Sequence, residues 1–264
     1  RACFCEYPVL ARLIVRTVDY WVDETFEFLM RLEADWTSLE HAFEEGASLG
    51  QVLEIDPALS DSHHHGRFVK ALIFSSGRAL IYKPKDLRLE RGFQALLSWV
   101  NTQGLAPQLK PRKLVCRPSH GWVEFVRFRP LEVLDQVRAY HRRSGMLLGL
   151  LHVLEGTDCH KENLIADGQH PTLVDFETLM HHRAVDLDGK GADDSELLAD
   201  DRLAGSVLNI GLLPRWEQVG SGGVVDVSAM GATEDYDSRV EVTVWADVNC
   251  DAMRRVRTMA AVRP

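Results

Sequence analysis

Across residues 10–43 the apolar side chains Leu10, Leu13, Ile14, Val18, Trp21, Val22, Phe26, Leu29 and Leu32 recur in steps of three and four, with charged residues between them. That period marks an amphipathic helix. One or two helices are therefore predicted over residues 19–44, with Trp21, Phe26, Phe28 and Trp36 read as packing side chains. The period then shortens. Two apolar runs, 71–74 and 79–83, flank the turn-forming Ser75-Ser76-Gly77-Arg78, which predicts a β-hairpin whose second strand closes on Lys83. Helical spacing returns over 87–100 (Leu89, Phe93, Leu96, Leu97, Val100) and places Glu90 as an acidic partner for Lys83. Residues 113–118 and 121–127 read as two further strands, and the long apolar pattern of 131–154 as a buried helix. Beyond it, 207–213 is predicted to be a strand ending at Pro214, and the glycine-rich 219–224 a turn.

Residues 157–178 carry a different pattern: loop, hairpin, carboxylate. Asp158 is followed five positions later by Asn163, and Leu164-Ile165-Ala166 and Leu173-Val174 flank the turn signal Asp167-Gly168. Asp175 comes directly off the second run, ahead of Phe176 and Glu177. A tight hairpin brings Asp175 back beside Asn163. Phosphoryl transfer asks for few parts: a carboxylate to orient or deprotonate the attacking hydroxyl, and oxygen ligands for Mg²⁺ on the nucleotide phosphates. Asp158, Asn163 and Asp175 supply those types in the order that kinases use them, and Lys83 on a strand supplies a cation for the phosphates. Taken singly, each has an ordinary explanation, Asp and Asn as turn residues and Lys as a strand-edge residue. Their order and spacing carry the phosphotransfer reading.

Composition narrows the classes. The chain has 264 residues, 45% of them hydrophobic, enough for a core in one large domain or two small ones. A net charge of −9 and a pI near 5.7 argue against a nucleic-acid backbone as partner. No apolar run reaches membrane-span length and the N-terminus lacks signal-peptide order, which leads to the expectation of a cytoplasmic protein. Five scattered cysteines (Cys3, Cys5, Cys116, Cys159, Cys250) with no Cys-x-x-Cys pair are read as reduced thiols, with Cys159 a small buried filler. The run His63-His64-His65 is read as a solvated or catalytic loop rather than a metal site, because adjacent side chains do not converge on one ion. Residues 186–201 are acidic and read as a solvated loop. The start at Arg1 and the stop at Pro264 are read as those of a piece of a longer protein.

These residues together resemble the N-terminal dehydratase domain of type 2 lanthipeptide synthetases, the LanM proteins. The resemblance runs through Ser60-Asp-x-His-x-x-Gly-Arg67, Tyr82-Lys-Pro-Lys-Asp-Leu, Gly121-Trp-Val-Glu-Phe-Val, Gly156-Thr-Asp-Cys-His-Lys-Glu-Asn-Leu-Ile-Ala, His170-Pro-Thr-Leu-Val-Asp-Phe-Glu-Thr-Leu and Trp245-Ala-Asp-Val-Asn. It implies an α+β, lipid-kinase-like two-lobed core with an antiparallel N-lobe sheet and a more helical C-lobe. The expected division is a helical part at 1–55, an N-lobe at 56–130 and a C-lobe at 131–264 that includes the acidic segment. It also implies phosphorylation of Ser and Thr in a ribosomally made precursor peptide with ATP and Mg²⁺, followed by loss of phosphate to give dehydroalanine or dehydrobutyrine. Carried over position by position, Lys83 would bind phosphate, Asp158 and His160 would activate the hydroxyl, and Asn163 and Asp175 would hold the metal. Glu177 takes the place of the family's acidic residue, and Asp61, His63 and Arg67 match the motif implicated in handling the phosphorylated intermediate.

The pattern departs from the family toward the C-terminus. The Arg and Thr of the family's elimination site and its zinc-binding cyclase have no counterpart in context, Arg257-Thr258 included. The resulting expectation is a monomer that phosphorylates a peptide and eliminates poorly. Two alternatives stay open on sequence alone: a small-molecule kinase with the same catalytic parts, and an inactive remnant that binds peptide or nucleotide.

Overall fold

The computed structural model describes residues 2–56, 66–181, 202–219, 223–226, 228–231, 239–248, 250 and 252–261. The chain divides into two compact units, Arg1–Val126 and Arg127–Pro264. Its class is α+β.

Unit 1 opens with α1 (Ala2–Glu6) and α2 (Pro8–Glu44). Pro8 stands at the first helical position, where its missing N–H costs nothing and its fixed φ favours helix. At the far end Glu45 turns left-handed and the Gly46 N–H donates back to Glu40 O at 3.0 Å, which stops the helix. The one or two helices expected over 19–44 are thus one, and it starts earlier, at Pro8. Five strands follow with one helix among them: β1 (Val52–Asp56), β2 (Lys70–Phe74), β3 (Ala79–Lys83), α3 (Arg88–Thr102), β4 (Leu114–Cys116) and β5 (Gly121–Glu124). They form an antiparallel sheet in the order β1-β2-β3-β5-β4.

The second half of α2 lies on this sheet. Phe28, Leu32, Leu39 and Phe43, spaced for one helix face, join Leu72, Phe74, Leu80, Tyr82 and Trp122 in one apolar cluster. Each such side chain contributes about 1.5–3 kcal/mol by leaving water. A buried carboxylate fastens the two layers. Asp35 accepts from Trp122 Nε1 at 2.8 Å, from Arg117 Nε at 2.7 Å and from His120 Nε2 at 2.8 Å. Nearer the middle of α2, Glu24 pairs with buried Lys70, and Glu27 with Arg67. The first half of the helix has no such cover among the described residues. Trp21 and Phe26, expected in the core, are 64% and 65% exposed: Trp21 lies on the buried face beyond the reach of the sheet, and Phe26, two positions from Phe28, lies on the opposite face. Phe28 is buried and Trp36 packs against the cluster.

Strand alternation decides what faces where. Leu80 and Tyr82 point into the α2 cluster, so Lys83 turns to the other face, where Glu90 of α3 meets it. Gly121, in register with Lys83, is required there: a Cβ would stand 2.4 Å from Leu87 Cδ1 and 2.7 Å from Val115 O.

Unit 2 begins with α4 (Leu134–Val153), whose Leu147 and Leu151 are buried. It continues with the hairpin β6 (Leu164–Asp167) and β7 (His170–Leu173), a 3-10 turn at Val207–Ile210, the hairpin β8 (Trp216–Val219) and β9 (Gly223–Asp226), and the ribbon β10 (Arg239–Ala246) and β11 (Arg254–Ala261). The strand expected at 207–213 is therefore absent. Ser206 Oγ accepts from Leu208 N at 3.2 Å and Gly211 takes φ +84°, so the segment is capped and turned instead of extended. The acidic segment 186–201 lies outside the described residues. No described helix is long and apolar enough to cross a membrane.

Candidate active site

The helix α4 delivers the chain to the loop that carries Asp158. Leu154 and Gly156 donate their N–H groups to Leu150 O and Leu151 O at 3.0 and 2.8 Å, and Gly156 is so closely packed that a Cβ would sit 2.8 Å from Leu179 Cδ2. Asp158 itself has φ +61°. The left-handed region costs an L-residue roughly 1–2 kcal/mol, less for Asp than for most. It persists because the peptide that follows is held at both ends. Its carbonyl, Asp158 O, accepts from Asn163 Nδ2 at 2.8 Å, and its N–H, on Cys159, donates to Ile210 O at 2.8 Å.

His160 completes the cluster. Its Nδ1 accepts from the Glu162 N–H at 3.2 Å, so the neutral ring carries its proton on Nε2. That Nε2 lies 3.2 Å from Asp158 Oδ1 and 3.4 Å from Asn163 Nδ2. The histidine thus stands beside the carboxylate of Asp158, whose side chain is 59% exposed. The amide of Asn163 spends its Nδ2 on Asp158 O, which leaves Oδ1, a hard oxygen, to act as acceptor.

The hairpin does what the sequence implied. Val174 N donates to Asn163 O at 2.9 Å, which puts Asp175 next along the chain from that contact. Asp175 Oδ1 accepts from Phe176 N at 2.7 Å and Glu177 N at 3.2 Å; Phe176 is buried and Glu177 exposed. Thr178 Oγ1 bonds Thr157 O, tying the two ends of the stretch together.

Cys159 sits between these groups, 2% exposed. Burial, with Asp158 and Asp175 close by, pushes its thiol up to about 12. It is the inert filler expected. In native protein a thiol reagent near neutral pH should modify the exposed Cys5 and Cys250 at least about 100-fold faster than Cys159. Equal rates, read by peptide mapping, would contradict this burial.

A cleft of about 510 Å³ opens at the loop, lined by Thr157, Asp158, His160, Lys161, Asn209 and Arg215 among others. The 3-10 turn forms its second wall. Gly211 lies against the loop backbone, where a Cβ would stand 3.2 Å from Cys159 N, and Ser228 makes a single β-bridge with His160. This wall, some fifty residues away, was not anticipated from sequence, although Ser206 as a cap and Gly211 as a turn residue were signals that could have marked it.

In unit 1, Lys83 Nζ donates to Glu90 Oε2 at 2.9 Å, and both are buried. Burial lowers the lysine's proton affinity, opposed by Glu90 and reinforced by Arg112. Arg67 Nε donates to Glu27 Oε2 at 2.8 Å, a bond that lowers the Glu27 carboxyl below its ordinary value and raises the guanidinium. Asp61, His63 and the rest of the histidine run lie outside the described residues.

Among the described residues no group of three or more His, Cys, Asp or Glu stands ready to hold a metal by itself. Mg²⁺ on a nucleotide needs less, one or two protein oxygens beside phosphates and water, and the Asn163 and Asp175 side chains are of that kind.

Comparison with known proteins adds two findings. A family model described as "Domain of unknown function (DUF4135)" matches residues 7–264. The chain is also 27% identical over 218 residues to the lacticin 481/lactococcin biosynthesis protein LcnDR2 of Lactococcus lactis subsp. lactis; the match takes in 79% of this chain and 23% of that protein's length.

Proposed function

The chain belongs to the DUF4135 family, and on that premise we propose that it takes part in lanthipeptide biosynthesis as a dehydratase that phosphorylates Ser and Thr of a precursor peptide. The similarity to a lacticin biosynthesis protein supports the pathway. The observation that carries the chemistry is Asp158: left-handed, clamped through the peptide on its C-terminal side, close to His160 and open to a cleft.

The hydroxyl of the acceptor residue donates to the Asp158 carboxylate, which takes the proton as oxygen bonds to the γ-phosphorus of ATP and the bond to ADP breaks. His160 stands beside this carboxylate at the cleft, its Nε2 3.2 Å from Asp158 Oδ1. Asn163 and Asp175 would hold Mg²⁺, which when bound neutralises charge on the phosphates. Lys83 acts on the phosphates as a cation, and Glu177 fills the acidic position beside the metal ligand. Elimination then removes the α-proton and expels phosphate from Cβ; Asp61, His63 and Arg67 are its assigned residues, with Arg67 the cation for the leaving group.

The test uses ATP labelled on its γ-phosphate, Mg²⁺, and a library of Ser- and Thr-containing peptides that includes the lacticin 481 precursor. Label is expected on peptide hydroxyls, and Lys83→Met is expected to lower transfer by about 100-fold. Label on sugars or other small molecules instead would make the protein a small-molecule kinase. No transfer by folded protein would overturn the catalytic reading.

A further inference from the structure

The carboxylate that meets Lys83 has a second cation. Glu90 Oε2 accepts from Lys83 Nζ at 2.9 Å, while Glu90 Oε1 accepts from Arg112 Nη2 at 2.6 Å. One oxygen therefore serves each cation. Arg112 is itself fixed: its backbone N–H donates to Gln94 Oε1 at 2.9 Å, and Gln94 lies one turn along α3 from Glu90. The four side chains are interior groups, with residue exposures of 7% for Lys83, 3% for Glu90, 7% for Gln94 and 7% for Arg112. Lys85 also faces Lys83, and Glu124 also faces Arg112.

A lysine that serves a nucleotide phosphate must shift part of its bonding away from its carboxylate. If Glu90 had only Lys83, that shift would strand a buried charge, which is strongly unfavourable. We infer that Arg112 is a positioning residue for the phosphate-binding lysine: it keeps Glu90 compensated and in place while Lys83 engages the nucleotide. This rests on the assignment of Lys83 proposed above. A planar guanidinium that does not titrate suits a resident role, here through one bond from Nη2 to a carboxylate oxygen. Lysine suits the mobile role, being a compact charge on a flexible stem. The two cations are thus divided by type as well as by place.

Two measurements on the full chain test the inference. In nucleotide-free protein, competitive acetylation across pH reads the proton affinity of the Lys83 amine. Arg112→Gln removes a repelling cation and leaves Glu90 to Lys83 alone, so that affinity should rise; no change would overturn the inference, whether or not the protein turns over. In peptide phosphorylation, Arg112→Gln should raise KM for ATP by about 10-fold with kcat changed less than about 2-fold, and Arg112→Lys should restore most of the loss. A merely structural arginine would instead lower the melting temperature and kcat together, without rescue by lysine. If the wild-type chain transfers no phosphate, the proposed function falls while the acetylation result still decides the coupling of Arg112 to Lys83.

Discussion

Asp158→Asn is expected to cut phosphoryl transfer by a factor of about 10²–10⁴ and to leave the fold intact. Asparagine occupies the same volume and tolerates the left-handed backbone that Asp158 adopts at φ +61°. The clamp on the following peptide uses main-chain atoms, Asp158 O and Cys159 N, so it survives the substitution. What disappears is proton acceptance. The amide cannot take the hydroxyl proton. Steady-state rates with peptide and ATP measure the loss, and thermal unfolding checks the fold. A variant that melts like the wild type and retains more than about a tenth of the rate would remove Asp158 from the role of base.

The largest effect on stability is expected at Asp35. Asp35→Ala leaves the Trp122 indole N–H and the His120 Nε2 without their acceptor in a site where Trp122 is fully buried. Each orphaned donor costs about 1–3 kcal/mol. Arg117, whose side chain is 36% exposed, recovers water and adds little. A loss of roughly 2–6 kcal/mol in denaturant unfolding follows, and less than about 1 kcal/mol would mean that the node is a surface ion pair in effect.

The same node sets a pH dependence. Burial pushes the Asp35 carboxyl up, but the bonds from Trp122, Arg117 and His120 outweigh it and hold it below the ordinary 3.8. Burial also lowers His120 from 6.5 despite its contact with Asp35, and its Nδ1 is buried without a hydrogen-bond partner among the described residues. Protonating that nitrogen would bury an unsatisfied donor. Both groups bind a proton less readily in the folded chain than in the unfolded one. Their contribution is therefore complete above pH 6.5, shrinks as pH falls through the native His120 value, and shrinks again below 3.8.

Local patterns foretold local structure. The 71–83 hairpin, the partnership of Glu90 with Lys83 and the turn between Asn163 and Asp175 were all legible, since each is fixed by neighbours within about twenty positions. What escaped depends on distant packing. The apolar run at 207–210 has no period to separate strand from helix, and Gly211 with the buried Ile210 and Leu212 decided it. Trp21 shares the helix face of Phe28 and Leu32, yet the sheet ends before it covers that position, and Phe26 falls on the opposite face. The Asp35 node joins residues more than eighty positions apart, and Arg112 gave no sign in sequence that it shares Glu90 with Lys83.

The most direct test of the phosphotransfer assignment is an intact-mass measurement on a Ser- and Thr-containing peptide after incubation with the chain, ATP and Mg²⁺, run beside Asp158→Asn. A gain of phosphate, or a loss of water where elimination follows, is expected with the wild type and not with the variant. An unchanged peptide mass with folded wild-type protein that binds the peptide, or equal modification by both proteins, would contradict it.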